Sequence, residues 1–438
     1  MGLLPVTNIV IANIIGAGIF TTTGYLMVFL GNPLIMLTLW FVGGIIAFCG
    51  ALAFGELGAT FPEAGGEYIF ISKLFHPLLG FLSGWLSLIV GFSAPIAASA
   101  IGFSKYFTWA FPQIQSLLFL DGIIQPEIFN KTLAILIILI FTIIHSRGVI
   151  FGTKVQNGLT ILKLILVVGL IAAGFLVGNG SFQNLEQTQA FQFNFSGWKS
   201  MGLSLMFIMF AYSGWNSATY IGSEIKNPRK VIPWSLLIST GVVIVLYLLL
   251  NLFFVYAIPP AEMVGEPEIG GLAAGKSFGG VAETIISLLI SFALFSSLSA
   301  FIILGPRVYY SMAKDGYFFQ FAAKIHKKYK VPTNAIILQS AIAIILVMSG
   351  TFEQILVYMG FSLGIFPILA VLGVFKLRLT GKSALKLPGY PIIHLVFILA
   401  GITMLVLAFF ERPWESSIAI LTALSGIPVF YWFKNKRK

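Results

Sequence analysis

Two short stretches combine residue types that can do chemistry without an ionised side chain. One is Gly16-Ala17-Gly18-Ile19-Phe20, followed by Thr21-Thr22-Thr23-Gly24; the other is Phe210-Ala211-Tyr212-Ser213-Gly214-Trp215-Asn216. Both lie inside long apolar runs. Glycines around a small residue favour local unwinding of a helix and allow close approach of another group. An interruption leaves free N–H groups at the start of one half-helix and free C=O groups at the end of the other. The N–H groups suit a carboxylate and the C=O groups an ammonium, so a zwitterion can be held by backbone alone. Neither stretch contains Asp, Glu, Lys or Arg. Taken alone, Gly16–Gly18 also fits a small-residue packing seam between membrane helices.

The third candidate is Lys163, nine residues beyond Lys154, or about 13 Å along a helix. Placing a lysine at membrane depth costs about 2.5–3.5 kcal/mol. At that depth it is nearly too far from either surface for its ammonium to reach water. It is expected to face the interior, against carbonyls of the first interrupted helix and hydroxyls such as Ser296 or Ser297. The four histidines, His76, His145, His326 and His394, lie in or near terminal turns and loops without metal-ligand spacing. No metal, cofactor or enzymatic centre is expected.

The elements that carry these residues follow from composition. Of 438 residues, 58% are hydrophobic and 9% charged, against roughly a quarter charged in soluble domains. Mean hydropathy is +0.97. Too few charges remain to cover a soluble surface. The continuously apolar stretches also exclude a barrel of alternating strands. An all-α, polytopic membrane protein in a lipid bilayer remains. The charge of +11 fits cytoplasmic loops better than a nucleic-acid partner, for which no basic-aromatic module stands apart.

Charge-free runs mark the spans. Met1–Gly55 is split in two by Gly31-Asn32-Pro33. Pro77–Ser104, Thr132–Ser146, Val155–Leu185 (interrupted only by Lys163), Ser200–Ser223 and Val231–Ala261 follow. Thr284–Pro306, Val331–Phe352, Gln354–Phe375, Leu387–Phe410 and Ser416–Phe433 complete a predicted twelve. About 20 of the basic residues fall on one side, including Lys73, Arg147, Lys154, Lys226 to Lys230, Arg307 to Lys330, Lys376 to Lys386 and Lys434–Lys438, which puts both termini in the cytoplasm. Acids such as Asp121, Glu127 and Glu266 gather opposite. No signal peptide to be removed is expected.

The two unusual stretches sit in spans 1 and 6, the opening helices of two five-span halves. An odd number of spans per half makes the halves point oppositely, and paired interruptions in such an inverted repeat point to a substrate site. The expected division is 1–178 for the first repeat, 199–378 for the second, 387–433 for spans 11 and 12, and 434–438 for a basic tail. A channel would need a ring of filter elements, and none is visible.

The chain resembles the amino acid–polyamine–organocation transporters. The resemblance rests on the two stretches above together with Gly55-Glu56-Leu57-Gly58 and Pro62-Glu63-Ala64-Gly65-Gly66-Glu67-Tyr68. It rests further on Glu224-Ile225-Lys226-Asn227-Pro228-Arg229, and on Gly305-Pro306-Arg307 followed by Met312 to Gly316. The sixth-span motif and Lys163 are most similar to the L-type branch, and within it to bacterial alanine–serine–cysteine or serine–threonine exchangers. The resemblance implies a leucine-transporter-like 5+5 inverted repeat plus two helices. It implies that Gly16, Ala17 and Gly18 offer amides to a substrate carboxylate, and that carbonyls near Ile14, Ile15 and Phe210 take its ammonium. Phe210 would gate the site from outside, and Ser213, Gly214 and Asn216 would belong to the pocket. Lys163, with Ser296 and Ser297, would stand where sodium-coupled relatives hold an ion.

Sodium-independent exchange of small neutral L-amino acids in the plasma (inner) membrane is therefore the expected function. The alternative is a proton-coupled symporter with Lys163 as the titrating group. Glu56 and Glu224 lie too near helix ends to serve a cationic substrate. Animal members of the branch join a heavy subunit through an external-loop cysteine. Here the only cysteine is Cys49, inside an apolar run, so no disulfide-linked subunit is expected. Ala17 stands where the family often has Ser, which removes one hydroxyl contact but no backbone amide.

Overall fold

A computed structural model describes residues 1–111, 113, 125–186, 191–349 and 352–436, without the side chains of 149–154 and 352–353. Asp121, Arg437 and Lys438 lie outside the described residues, as does the Lys154 side chain. The described residues form helices and no strand. In chain order the first are α1 (Leu3–Ile14), α2 (Ala17–Leu30), α3 (Pro33–Thr60), α4 (Glu67–Leu74), α5 (Pro77–Leu86) and α6 (Ser93–Ala110). They continue with α7 (Pro126–Ser146), α8 (Val149–Val177), α9 (Phe195–Ala211) and α10 (Pro228–Ala257). Next come α11 (Pro260–Met263), α12 (Ile269–Phe278), α13 (Gly280–Lys314) and α14 (Thr333–Ser349). The last are α15 (Phe352–Leu379), α16 (Ile392–Glu411), α17 (Pro413–Leu424) and α18 (Gly426–Lys436).

Among the described residues, 10 helical stretches are long and apolar enough to cross a membrane, counting α1 with α2, α5 with α6, and α17 with α18 as continuous rods. Two of the twelve expected spans fall short of that length. One is α14. The other is α9, of 17 residues, because the sixth apolar run leaves the α-helix at Tyr212. The exterior carries large apolar side chains such as Ile165 and Leu399, the surface a lipid solvent selects.

Local chemistry sets the boundaries that matter. Gly31 ends α2 in a left-handed conformation (φ 56°), which glycine adopts without a Cβ clash. The Asn32 side chain then accepts the Leu34 and Ile35 amides, and Pro33 opens α3. Between α5 and α6 the third span passes through a five-residue π segment, Ser87–Gly91, a local widening that often marks functional sites. The basic connection after α13 is held down by aromatic contacts. Phe318 and Phe319 meet Phe433 of α18 with ring centroids 6.1 and 5.0 Å apart.

Candidate functional site

Around Gly16 the helix hydrogen bonding stops and restarts. α1 stops at Ile14, Ile15 and Gly16 are extended, and α2 restarts at Ala17. Gly16 has φ −117°, open to any residue, and a Cβ there would meet nothing nearer than 3.7 Å. Gly18 is the sterically demanding position, since its Cβ would lie 2.7 Å from Cα of Ala211. The second interruption follows that same alanine. α9 ends at Ala211, the chain turns through Tyr212–Asn216, and a 3-10 segment covers Ser217–Glu224. Gly214 has φ +97°, and a Cβ on it would meet Asn13 at 2.8 Å. The two interruptions therefore touch at Gly18 with Ala211 and at Asn13 with Gly214.

Three side chains close the first interruption. Lys163 on α8 is wholly buried. Its Nζ donates to the Ala12 carbonyl at 3.1 Å, to Ser297 Oγ at 2.8 Å and to the Ile15 carbonyl. Three donors thus find three acceptors. Ser297 Oγ in turn donates to the Ile15 carbonyl at 2.8 Å. The Tyr247 hydroxyl on α10 stands 2.8 Å from the Ile14 carbonyl and 3.0 Å from that of Ala211. Its single proton is shared between the ends of α1 and α9. Ser296 turns elsewhere, to Gln156 and Thr160.

The second interruption opens on a cavity of about 90 Å³. Asn13, Phe210, Ser213, Gly214 and Asn216 line it together with Glu67. Ile14, Ile15, Gly16, Ala17 and Gly18 do not. The Ile14 and Ile15 carbonyls face Tyr247, Lys163 and Ser297 instead, and the Phe210 carbonyl accepts the Ser213 amide at 2.9 Å. Asn216 Nδ2 donates to Glu67 Oε1 at 2.8 Å, and the Tyr220 hydroxyl stands 3.4 Å from the same oxygen. Burial pushes the Glu67 carboxyl up to about 7, and the bonds from Asn216 and Tyr220 only partly oppose this.

Sequence reasoning missed Tyr247 and Glu67. Tyr247 lies in an unbroken apolar run that carries no signal. Glu67 was visible only as part of the Gly65-Gly66-Glu67-Tyr68 motif. The other two acids weighed for a substrate are paired with arginines. Glu56 meets Arg378 Nε at 2.9 Å, and Glu224 meets Arg307 Nε at 2.8 Å. Among the described residues, no cluster of His, Cys, Asp and Glu could hold a metal ion.

Apolar rods packed around two helix ends, with backbone groups turned inward, define a multi-pass membrane carrier. The chain belongs to the amino acid permease family of the amino acid–polyamine–organocation superfamily, whose match runs over residues 1–430. It is 27% identical to the serine/threonine exchanger SteT of Bacillus subtilis over 443 residues, covering 100% of this chain and 97% of the relative. It is 27% identical to the Asc-type amino acid transporter 1 of Mus musculus, covering 98% and 80% of the two chains. The Homo sapiens cystine/glutamate transporter matches at 27%, covering 98% and 84%. The family and these relatives are membrane transporters and not enzymes.

Proposed function

We propose that this protein exchanges small neutral L-amino acids of the alanine, serine and cysteine class, without sodium, by alternating access. The observation that carries this reading is the Lys163 ammonium held by the Ala12 and Ile15 carbonyls and Ser297. The ammonium already occupies the Ala12 and Ile15 carbonyls and the Ser297 hydroxyl that a sodium ion would need there, so such a carrier has no use for one. The small cavity supports a small substrate. At about 90 Å³ it is below the roughly 150 Å³ of an engineered cavity that takes benzene.

In this reading twelve spans cross the plasma (inner) membrane of a bacterium, with both termini cytoplasmic and helices 1 and 6 interrupted at mid-depth. Residues 1–178 and 199–378 are the inverted repeats, 387–433 the added helices and 434–438 the tail. The Gly16, Ala17 and Gly18 amides take the substrate carboxylate. The Ile14 and Phe210 carbonyls, each with a second lone pair, take its ammonium, together with the Ile15 carbonyl once Ser297 releases it. Substrate entry then requires Gly18 to part from Ala211, a movement that tilts the half-helices. Cys49 is buried in α3, so the carrier works without a disulfide-linked subunit.

The test is uptake of labelled alanine and serine by proteoliposomes, empty or loaded with unlabelled amino acid, across imposed sodium and pH gradients. The expected result is uptake stimulated by internal substrate and indifferent to sodium. Sodium-driven uptake into empty vesicles would overturn the proposal. Proton-driven uptake into empty vesicles would replace it by symport with Lys163 as the titrating group.

A further inference from the structure

The cavity mixes polar and apolar lining. Ile46, Met209, Phe397 and Met404 make much of its wall, while Glu67 is its one carboxylate. Glu67 is 7% exposed and opens α4. The preceding Gly65 and Gly66 have φ +128° and +54°, and a Cβ on Gly66 would meet the Tyr220 ring at 2.5 Å. This turn presses Glu67 against the sixth helix. Oε1 is taken by Asn216 and Tyr220, but no described residue donates to Oε2. Among the described residues no lysine or arginine forms an ion pair with it.

A smaller cavity of about 20 Å³ adjoins Glu67, lined also by Ser83, Ser87 and Ser362. It is large enough for one water. Among the described residues, the hydroxyls of Ser83 and Ser362 have no hydrogen-bond partner, although both residues are only 2% exposed. Ser87 begins the π segment of the third span. Two orphaned buried hydroxyls beside a carboxylate that lines the same void are costly unless a polar guest satisfies them.

We propose that Glu67, with Ser83 and Ser362 beside it, is the subsite that selects substrates by a hydrogen-bond-donating side chain, a hydroxyl foremost. This rests on the neutral amino acid exchange proposed above and narrows it to serine and threonine over their apolar isosteres. The hydroxyl donates to Oε2 directly or through a water held by the two serines. A long alkylammonium side chain is disfavoured, because the cavity holds only about 90 Å³ and Ile46, Met209, Phe397 and Met404 take up much of its wall.

The experiment uses proteoliposomes loaded with alanine, and competition for labelled alanine uptake by serine against 2-aminobutyrate and by threonine against valine. Each pair matches in shape and differs in the hydroxyl. The wild-type protein is expected to favour the hydroxyl member about tenfold or more, as sites built to bond a hydroxyl do. In Glu67→Leu each ratio, read against that variant's own alanine exchange, falls to near unity. Ser362→Ala lowers it partway. If Glu67→Leu carries no flux, thermal stabilisation of the purified protein by serine against 2-aminobutyrate reads the same preference. Equal competition in the wild type, or a ratio unchanged in Glu67→Leu, overturns the proposal. So does lysine competing better than serine. Wild-type vesicles that exchange no alanine at all would instead sink the carrier reading itself.

Discussion

The two interrupted helices carry the same kind of sequence and end in opposite states. At the first, the carbonyls of Ala12, Ile14 and Ile15 meet side-chain donors: Ala12 meets Lys163, Ile14 meets Tyr247, and Ile15 meets Lys163 and Ser297. At the second, the turn borders open volume at Ser213 to Asn216, with Ser213 lining the cavity and Asn216 reaching onto Glu67. The first is a closed joint and the second a mouth. The difference comes from the helices packed against them. α8 and α13 bring a long ammonium and a hydroxyl to the first, while α4 and the π segment of the third span leave a gap beside the second.

The largest effect expected from disturbing this contrast is at Lys163. Lys163→Ala strips the Ala12 and Ile15 carbonyls of a charged donor and should cut exchange about tenfold or more, the scale of a lost charge-assisted hydrogen bond. The loss should fall chiefly on the side of the cycle where the first helix must reclose. Exchange and apparent affinity measured from both sides of the vesicle check this, and unchanged values on both would show the joint works without its cation.

A pair of glycine substitutions sharpens the comparison next. Gly18→Ala places a Cβ against the Ala211 backbone and should destabilise the protein by about 1–3 kcal/mol. Gly16→Ala meets nothing closer than 3.7 Å and should stay within about 0.5 kcal/mol. Melting of the two purified variants side by side reads the difference. Equal losses would mean that the interruption, not the contact with α9, is what the glycines serve.

Tyr247→Phe removes the hydroxyl shared by the two helix ends and should cost about 0.5–1.5 kcal/mol. It should also loosen the coupling between them. Melting temperature, with hydrogen exchange at Ala211 and Ile14, measures both.

A pH dependence is expected from Glu67 at the mouth. Its carboxyl is raised from 4.5 to about 7, so the folded protein holds a proton that the unfolded chain releases. Ionising it opposes folding. Stability should therefore fall as pH rises from about 4.5 to about 7 and stay flat above. Glu67→Gln should flatten that slope in melting curves taken across the window. An identical slope in the variant would assign the pH dependence to other groups.

Much of this was legible in the chain. Charge-free runs located the helices, Gly31-Asn32-Pro33 marked a boundary that Asn32 and Pro33 cap, and Lys163 announced itself by depth. The partner hydroxyl was narrowed to Ser296 or Ser297, and helical phase chose Ser297. Tyr247 was hidden because a tyrosine within an apolar helix has no periodic or compositional mark. Gly16 and Gly18 looked equivalent in sequence, yet only Gly18 faces the Ala211 backbone. Ser213, Gly214 and Asn216 line the cavity, while the Ile14 and Ile15 carbonyls face Tyr247 and Lys163 instead.

The sequence by itself determined the solvent, the helical class and the family, because hydrophobicity and backbone hydrogen bonding act locally and leave few ways to build in lipid. Only the tertiary structure decided which interruption is filled and which is hollow. That depends on side chains brought from α8, α10, α13 and α4, whose distance in sequence from the interruptions carries no information about their distance in space.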